Sequence, residues 1–222
     1  MFDDAARKPV PVQPGQPAPI TQLRVRKRVW TDVARIFSTV CNPFLTSLAL
    51  FVILAGARST GSRDFMVLLF NSAFFTSIAP MLFIFYLYAT DRISDLDMSI
   101  RAERERVFIA FVIFYALGAI DLWLIHAPTI MTASMAGYAA SALIVQWITR
   151  YWKISTHALG VTAPLVALTV LFGERPVPFY ALIPLVGWSR VYLRAHTLLQ
   201  VLAGTLLAIV NTLLFFRVFH VV

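Results

Sequence analysis

The sequence predicts an all-α fold, a polytopic transmembrane helical bundle of six to seven spans, and two observations predict it. Of the 222 residues, 59% are hydrophobic and only 14% charged, whereas a soluble domain carries about 45–50% and about 25%. The apolar residues also come in long blocks, and a block of roughly 20 matches the hydrocarbon thickness of a bilayer when helical. In water those blocks would be exposed apolar surface, so a membrane is the solvent that suits them.

Residues 1–36 read as a polar, Pro-rich tail that ends in the basic run Arg24, Arg26, Lys27 and Arg28, and residues 37–222 as the transmembrane domain. No apolar stretch precedes a small-residue cleavage site, so no removable signal peptide is expected. Apolar spans are expected at 41–57, 65–89, 107–126, 131–149, 157–173, 177–188 and 196–219. The first opens beside the single cysteine, Cys41, which excludes an internal disulfide framework. Pro80 is expected to kink the second, and Pro164 and Pro184 the fifth and sixth, because each removes a backbone donor. Within the fourth, Ala133, Gly137 and Ser141 recur four apart, which puts small residues on one packing face. The sixth is short and must tilt or borrow from its flanks.

The net charge of +8 would raise nucleic acid as a partner of a soluble protein. Here Lys and Arg gather in loops that meet anionic headgroups, so the expected partner is the lipid bilayer and no nucleic acid. With the N-terminus in the cytoplasm, the inner loops hold the 24–28 cluster, Arg35, Arg92, Arg101, Arg104, Arg106, Arg150, Lys153, Arg190 and Arg194, against Arg58, Arg63, Arg175 and Arg217 outside. The bias sets a cytoplasmic N-terminus, and short loops suit a bacterial inner membrane. It also brings the polar clusters near 91–106, 150–157 and 189–200 to one side.

Those clusters carry the chemistry. In Trp188–Gln200, Arg190 precedes His196 by six residues where the last span begins. Guanidinium groups bind phosphate oxygens bidentately, and a neutral imidazole can attack phosphorus. Lys153-Ile-Ser-Thr-His157 places a second histidine at the start of another span. Two histidines on one side can divide nucleophile and general acid between them.

Over about 150–210 the chain resembles the type 2 phosphatidic acid phosphatases. Ser189, Arg190 and His196 match that family's third motif, Ser-Arg-x5-His-x3-Asp, and Ser155 and His157 remain of its second, Pro-Ser-Gly-His. The resemblance implies His196 as the nucleophile that becomes phosphorylated, His157 as the general acid and Arg190 as a phosphate clamp, with no metal and no cofactor. Three departures stand out. Gln200 replaces the Asp that orients the nucleophile; it can accept a ring N–H but supplies no charge. Thr156 and Ile154 replace the glycine and proline of the second motif. The first motif, Lys-x6-Arg-Pro, is absent, and Arg101 and Arg104 are the nearest substitutes, joined by Lys153, Ser155 and Thr156 as candidate phosphate ligands.

Three functions therefore compete. The first is a membrane-embedded phosphatase acting on a lipid phosphate or diphosphate, isoprenoid phosphate and phosphatidic acid alike, through a phosphohistidine. The second is a catalytically degenerate, lipid-binding scaffold or a subunit of a larger membrane complex. The third is an intramembrane prenyltransferase whose Asp91, Asp95 and Asp97 would hold Mg²⁺.

Overall fold

The computed structural model describes residues 19–96 and 100–222, and the described residues form nine α-helices and no strand. They are α1 (Pro19–Val40), α2 (Pro43–Arg58), α3 (Ser62–Ala73), α4 (Ala79–Ala89), α5 (Arg101–Leu124), α6 (Thr129–Thr149), α7 (Thr156–Phe172), α8 (Leu182–Tyr192) and α9 (Leu198–Val218). A π-helical turn, Phe74–Ile78, joins α3 to α4, and a 3-10 turn, Val177–Ala181, leads into α8. The basic run of the expected tail falls on α1.

Four continuous stretches are long and apolar enough to cross a membrane: Ser62–Ala89, Ala102–Leu124, Thr129–Thr149 and Leu198–Val218. Arg28–Val40 with Pro43–Arg58, bent by 47°, makes a fifth if the pair is one span. The six to seven expected spans are therefore too many. The shortfall has a physical cause in the segment after residue 155. Helix α7 has 17 residues, about 26 Å, just short of the roughly 30 Å hydrocarbon core. The expected span 177–188 is a 3-10 turn followed by the 11-residue α8, with Pro176, Pro178 and Pro184 interrupting the helical ladder.

Side chains cap the helices that start at one end of the bundle. Asn42 Oδ1 accepts the backbone N–H of Phe44 and of Leu45, both at 2.9 Å, and Pro43 fills the first position of α2. Ser155 caps α7 through Ala158 N–H at 3.3 Å. Thr197 and Gln200 form a reciprocal capping box on α9. In an apolar surround such caps satisfy donors that no water reaches. In the second span the π turn absorbs Pro80 without a lost ladder bond inside α4, where the proline occupies the first turn.

Two buried clusters divide the bundle by depth. One gathers Leu50, Phe51, Leu54, Met131, Met135 and Phe216 at the far end. The other gathers Phe108, Phe111, Val145, Ile154 and Ala208 toward the capped end. The small-residue face of α6 does what its spacing predicts: Asn211 of α9 donates to Gly137 O and to Ser141 Oγ, both at 2.7 Å. Helix α9 also runs against the start of α7, where a Cβ on Gly204 would collide with the Ser155 carbonyl oxygen. That contact locks the two helices in register, since Ser155 N–H also donates to the Gln200 carbonyl at 3.1 Å. Gly204→Ala is therefore expected to destabilise the protein by about 1–3 kcal/mol, the usual cost of overpacking. Thermal unfolding in detergent should show a melting temperature lower by about 5 °C; an unchanged value would mean that the two helices do not meet as described.

Candidate active site

A cavity of about 510 Å³ lies at the capped end, with walls from α1, α2, α4, α5, α6, α7 and α8 and from the loop before α9. Its lining mixes two chemistries. Arg35, Arg104, Arg190, His157 and His196 supply its cationic and imidazole groups, and Phe44, Phe108, Phe111, Tyr115 and Val145 much of its apolar lining. No carboxylate lines it among the described residues.

The turn between α8 and α9 explains why arginine and histidine six apart meet. Helix α8 ends at Tyr192, and the Arg190 carbonyl accepts the backbone N–H of Ala195 at 3.0 Å and of His196 at 3.2 Å. Arg194 takes the left-handed conformation that closes such a turn, with φ of 55°. A non-glycine residue there stores a modest strain of about 1 kcal/mol. The chain thus doubles back, and Arg190 and His196 come to face one cavity.

Gln200 fixes the state of His196. Its Oε1 lies 3.0 Å from His196 Nδ1 and 3.2 Å from the backbone nitrogen of Thr197. A backbone N–H can only donate, so the amide atom facing both groups is the oxygen, and His196 Nδ1 carries the proton. Nε2 then holds the lone pair. His196 sits on the loop between α8 and α9, almost fully buried. Burial lowers its pKa from the ordinary histidine range to about 4. The Gln200 hydrogen bond acts in the opposite direction, and the charges of Arg104, Arg190 and Lys153 lower it further. Because the folded value lies below the free one, protons leave the ring on folding, and the neutral form prevails at every pH above about 4.

The other expected residues divide into those on the cavity wall and those behind it. Arg104 and Thr156 are on the wall with His157 and Arg190. Arg104 Nη2 donates to the Ile154 carbonyl at 2.8 Å, and its guanidinium lies 5.3 Å from the Phe108 ring centre. Ser155 is behind the wall, fully buried as the cap of α7. Lys153 is half-buried and outside the lining, acting on His196 through its charge. Arg101 opens α5, and its side chain lies outside the described residues, as does Asp97 altogether. Asp91 is exposed, and neither it nor Asp95 lines the cavity. Among the described residues no group of three His, Cys, Asp or Glu could hold a metal ion.

Helix α1 contributes what sequence reasoning missed. Arg35, Ser38 and Thr39, with Asn42 just beyond, line the cavity. Ser38 Oγ accepts from Arg190 Nη1 at 2.6 Å. His157 Nδ1 is buried without a hydrogen-bond partner. The missed signal was a polar stripe at i, i+3, i+4 and i+7, residues 35, 38, 39 and 42, directly before an apolar run.

Residues 131–222 match the family model of the PAP2 superfamily. Comparison with curated proteins and with solved structures gives no match. The matched segment contains both histidines, Arg190 and Gln200, and stops short of Arg35, Ser38 and Arg104. An NMR titration of the imidazoles in detergent should place His196 protonation near pH 4. Gln200→Leu should lower it further, because the bond it removes favours the cation. A midpoint at or above 6.5 in the native protein would contradict the burial described here.

Proposed function

We propose, on the premise that residues 131–222 belong to the PAP2 superfamily, that the protein is a membrane-embedded phosphatase of lipid phosphates working through a phosphohistidine at His196. A phosphatase-type function accords with the family match, and one observation carries the finer reading. Two imidazoles and three arginines face a single cavity that continues into an apolar interior. A phosphate headgroup fits the cationic groups and a hydrocarbon tail the apolar lining.

The chemistry follows from the protonation state of His196. Its Nε2 lone pair attacks phosphorus, forming an N–P bond as the ester P–O bond breaks. Gln200 Oε1 holds the Nδ1–H throughout, so the phosphorylated ring stays oriented while it carries positive charge. His157, which takes up a proton as the phosphate dianion binds beside it, gives that proton to the departing alkoxide oxygen and is left as the neutral imidazole. In the second half, water attacks the phosphohistidine, gives a proton back to His157 and releases inorganic phosphate. Arg190 and Arg104 neutralise the phosphate oxygens, with Arg35 at the mouth and Thr156 at the N-terminus of α7, where helix amides favour anions. Gln200 lacks the charge of a carboxylate, so turnover is expected to be slow.

On this reading the arginine-rich end faces the cytoplasm, in keeping with the positive charge gathered in those loops, and a bacterial inner membrane is the fitting location. A prenyltransferase would want carboxylates around a diphosphate-bound Mg²⁺, and the cavity wall offers arginines instead. A non-catalytic scaffold would have no use for a histidine held in its nucleophilic tautomer.

The decisive experiment is phosphate release from mixed micelles of lipid phosphates, with a chelator present. The wild type should release phosphate and His196→Ala should fall by more than a thousandfold, to the background rate. Acid-labile, base-stable phosphorylation of the wild type should accompany turnover. Ser38→Ala removes one hydrogen bond from Arg190, worth about 0.5–1.5 kcal/mol, and should lower kcat/KM by about three- to tenfold. No release by a folded wild-type protein would sink the phosphatase reading.

A further inference from the structure

We infer that the cavity is entered sideways, from the bilayer, past α1 and the end of α4, and that Arg35 on its polar lip draws in anionic phosphate headgroups. This entrance serves the phosphate site proposed above and stands on that reading. It adds the route that a lipid takes and a residue that selects for the charge of its headgroup.

The exposed part of the lining marks the opening. Among the described residues that line the cavity, four are exposed: Arg35 and Thr39 of α1, Phe85 of α4, and Leu96 in the segment after it. Every lining residue from position 104 onward is buried or half-buried. The cavity is therefore closed on the side of the carboxy-terminal helices and reaches the surface at α1 and at the end of α4. Two of the four exposed residues are polar and two apolar, the mixture that a headgroup and its chain require when they enter together.

Lipid surrounds these residues. Phe85 lies in the continuous apolar stretch Ser62–Ala89, about 6 Å along the helix from its end. Tyr86 and Tyr88 are exposed beside it, and Thr90, Asp91 and Arg92 follow, exposed and polar. Aromatic rings just inside a charged loop mark the headgroup level of a membrane. On α1 the exposed apolar residues Val29, Ile36 and Val40 recur at i, i+7 and i+11, a single stripe of the helix. Ile36 and Val40 each directly follow a lining residue, so this apolar stripe borders the polar one that lines the cavity. One helix thus turns an apolar face to acyl chains and a polar face to the site, which makes it a lip.

Arg35 has the properties of a capture residue. Its side chain is 69% exposed, and its partner Asp32 stands 3.8 Å away with a side chain 53% exposed. A solvent-screened pair at that distance holds the guanidinium weakly and yields it to a phosphate that offers bidentate contacts. One turn further along α1, the Ser38 hydroxyl holds Arg190 at 2.6 Å. A phosphate at Arg35 is therefore about 4.5 Å along the axis from the anchor of a buried guanidinium. Exposed charges at a rim act chiefly on encounter, so Arg35 governs which headgroups arrive.

The test puts a bimane fluorophore on a single cysteine in a Cys41→Ser background. One site is the apolar lip, Phe85→Cys; the control is Leu206→Cys on α9, exposed and outside the cavity lining. Leu96→Cys reports the same lip where Phe85→Cys does not fold. The full chain is reconstituted in phosphatidylcholine vesicles that carry an equal small fraction of phosphatidic acid or phosphatidylcholine with brominated, quenching acyl chains. Brominated phosphatidic acid should quench the lip label about fivefold more than brominated phosphatidylcholine, the enrichment that one arginine gives an anionic lipid. The two lipids should quench the control label equally. Arg35→Ala should abolish the difference at the lip, and Arg35→Lys, which keeps the charge, should retain most of it. In the same vesicles Arg35→Ala should raise KM for phosphatidic acid about fivefold, more than it lowers kcat. Quenching needs no turnover, so a preference at the lip without phosphate release by the native protein would uphold the entrance and overturn the phosphatase. No preference at the lip, one as large at Leu206→Cys, or one that survives Arg35→Ala would overturn the entrance, and phosphate release alongside it would leave the phosphatase standing. Neither preference nor release would overturn both.

Discussion

Gln200 ties the two histidine-bearing segments to each other with its two carbonyl groups. Its side-chain oxygen holds His196 and the cap of α9, and its backbone oxygen accepts the N–H of Ser155, the residue that caps α7 two positions before His157. Neither imidazole can shift without disturbing the same residue. The absence of a side chain at Gly204 lets the Ser155 carbonyl approach closely enough for this to work. A carboxylate in place of the amide would bring charge to the ring. The amide brings direction, because the Thr197 N–H dictates which of its atoms faces the histidine.

Around this hub, positive charge is concentrated. Arg104 and Arg190 are almost fully buried, and each donates to a neutral oxygen, the Ile154 carbonyl and the Ser38 hydroxyl. Two ion pairs face solvent, Glu105 with Arg150 at 3.0 Å and Asp32 with the cavity-lining Arg35 at 3.8 Å. Neutral dipoles hold a guanidinium in place without cancelling its field. Buried guanidinium groups suit a multivalent anion, and their charge adds to the larger effect of burial in keeping His196 unprotonated.

Much of this was legible in the sequence, and the exceptions have definite causes. The all-helical membrane character followed from block length and the scarcity of charge, which any apolar solvent would enforce. Arg190 and His196 were found because their spacing is local: six residues suffice for a helix end to double back on itself. Gln200 was recognised as a hydrogen-bond acceptor for the same reason, being one turn from His196. Ser155 looked like a ligand beside His157 and is a cap, a distinction that depends on which way a hydroxyl turns at a helix start. Helix α1 was read as a tail because its basic and proline content masked a polar stripe whose partner, α8, lies some 150 residues away. The sixth span failed because proline density, invisible to a count of apolar residues, shortened the helix to 11 residues.

The cavity is assembled from two stretches of chain with different duties. The family-matched segment, 131–222, supplies both imidazoles, Arg190 and Gln200, whereas most of the aromatic wall comes from α2, α4 and α5. On the proposed reading, reactivity and molecular appetite are encoded largely apart. Substitutions at the aromatic positions of α2, α4 and α5 could retune what the protein accepts while leaving Arg35, Ser38 and Arg104 in place, so relatives with the same carboxy-terminal half need not share a diet. A chimera that joins this carboxy-terminal half to a foreign front would be a workable route to new selectivity, provided the graft keeps a hydroxyl where Ser38 meets Arg190.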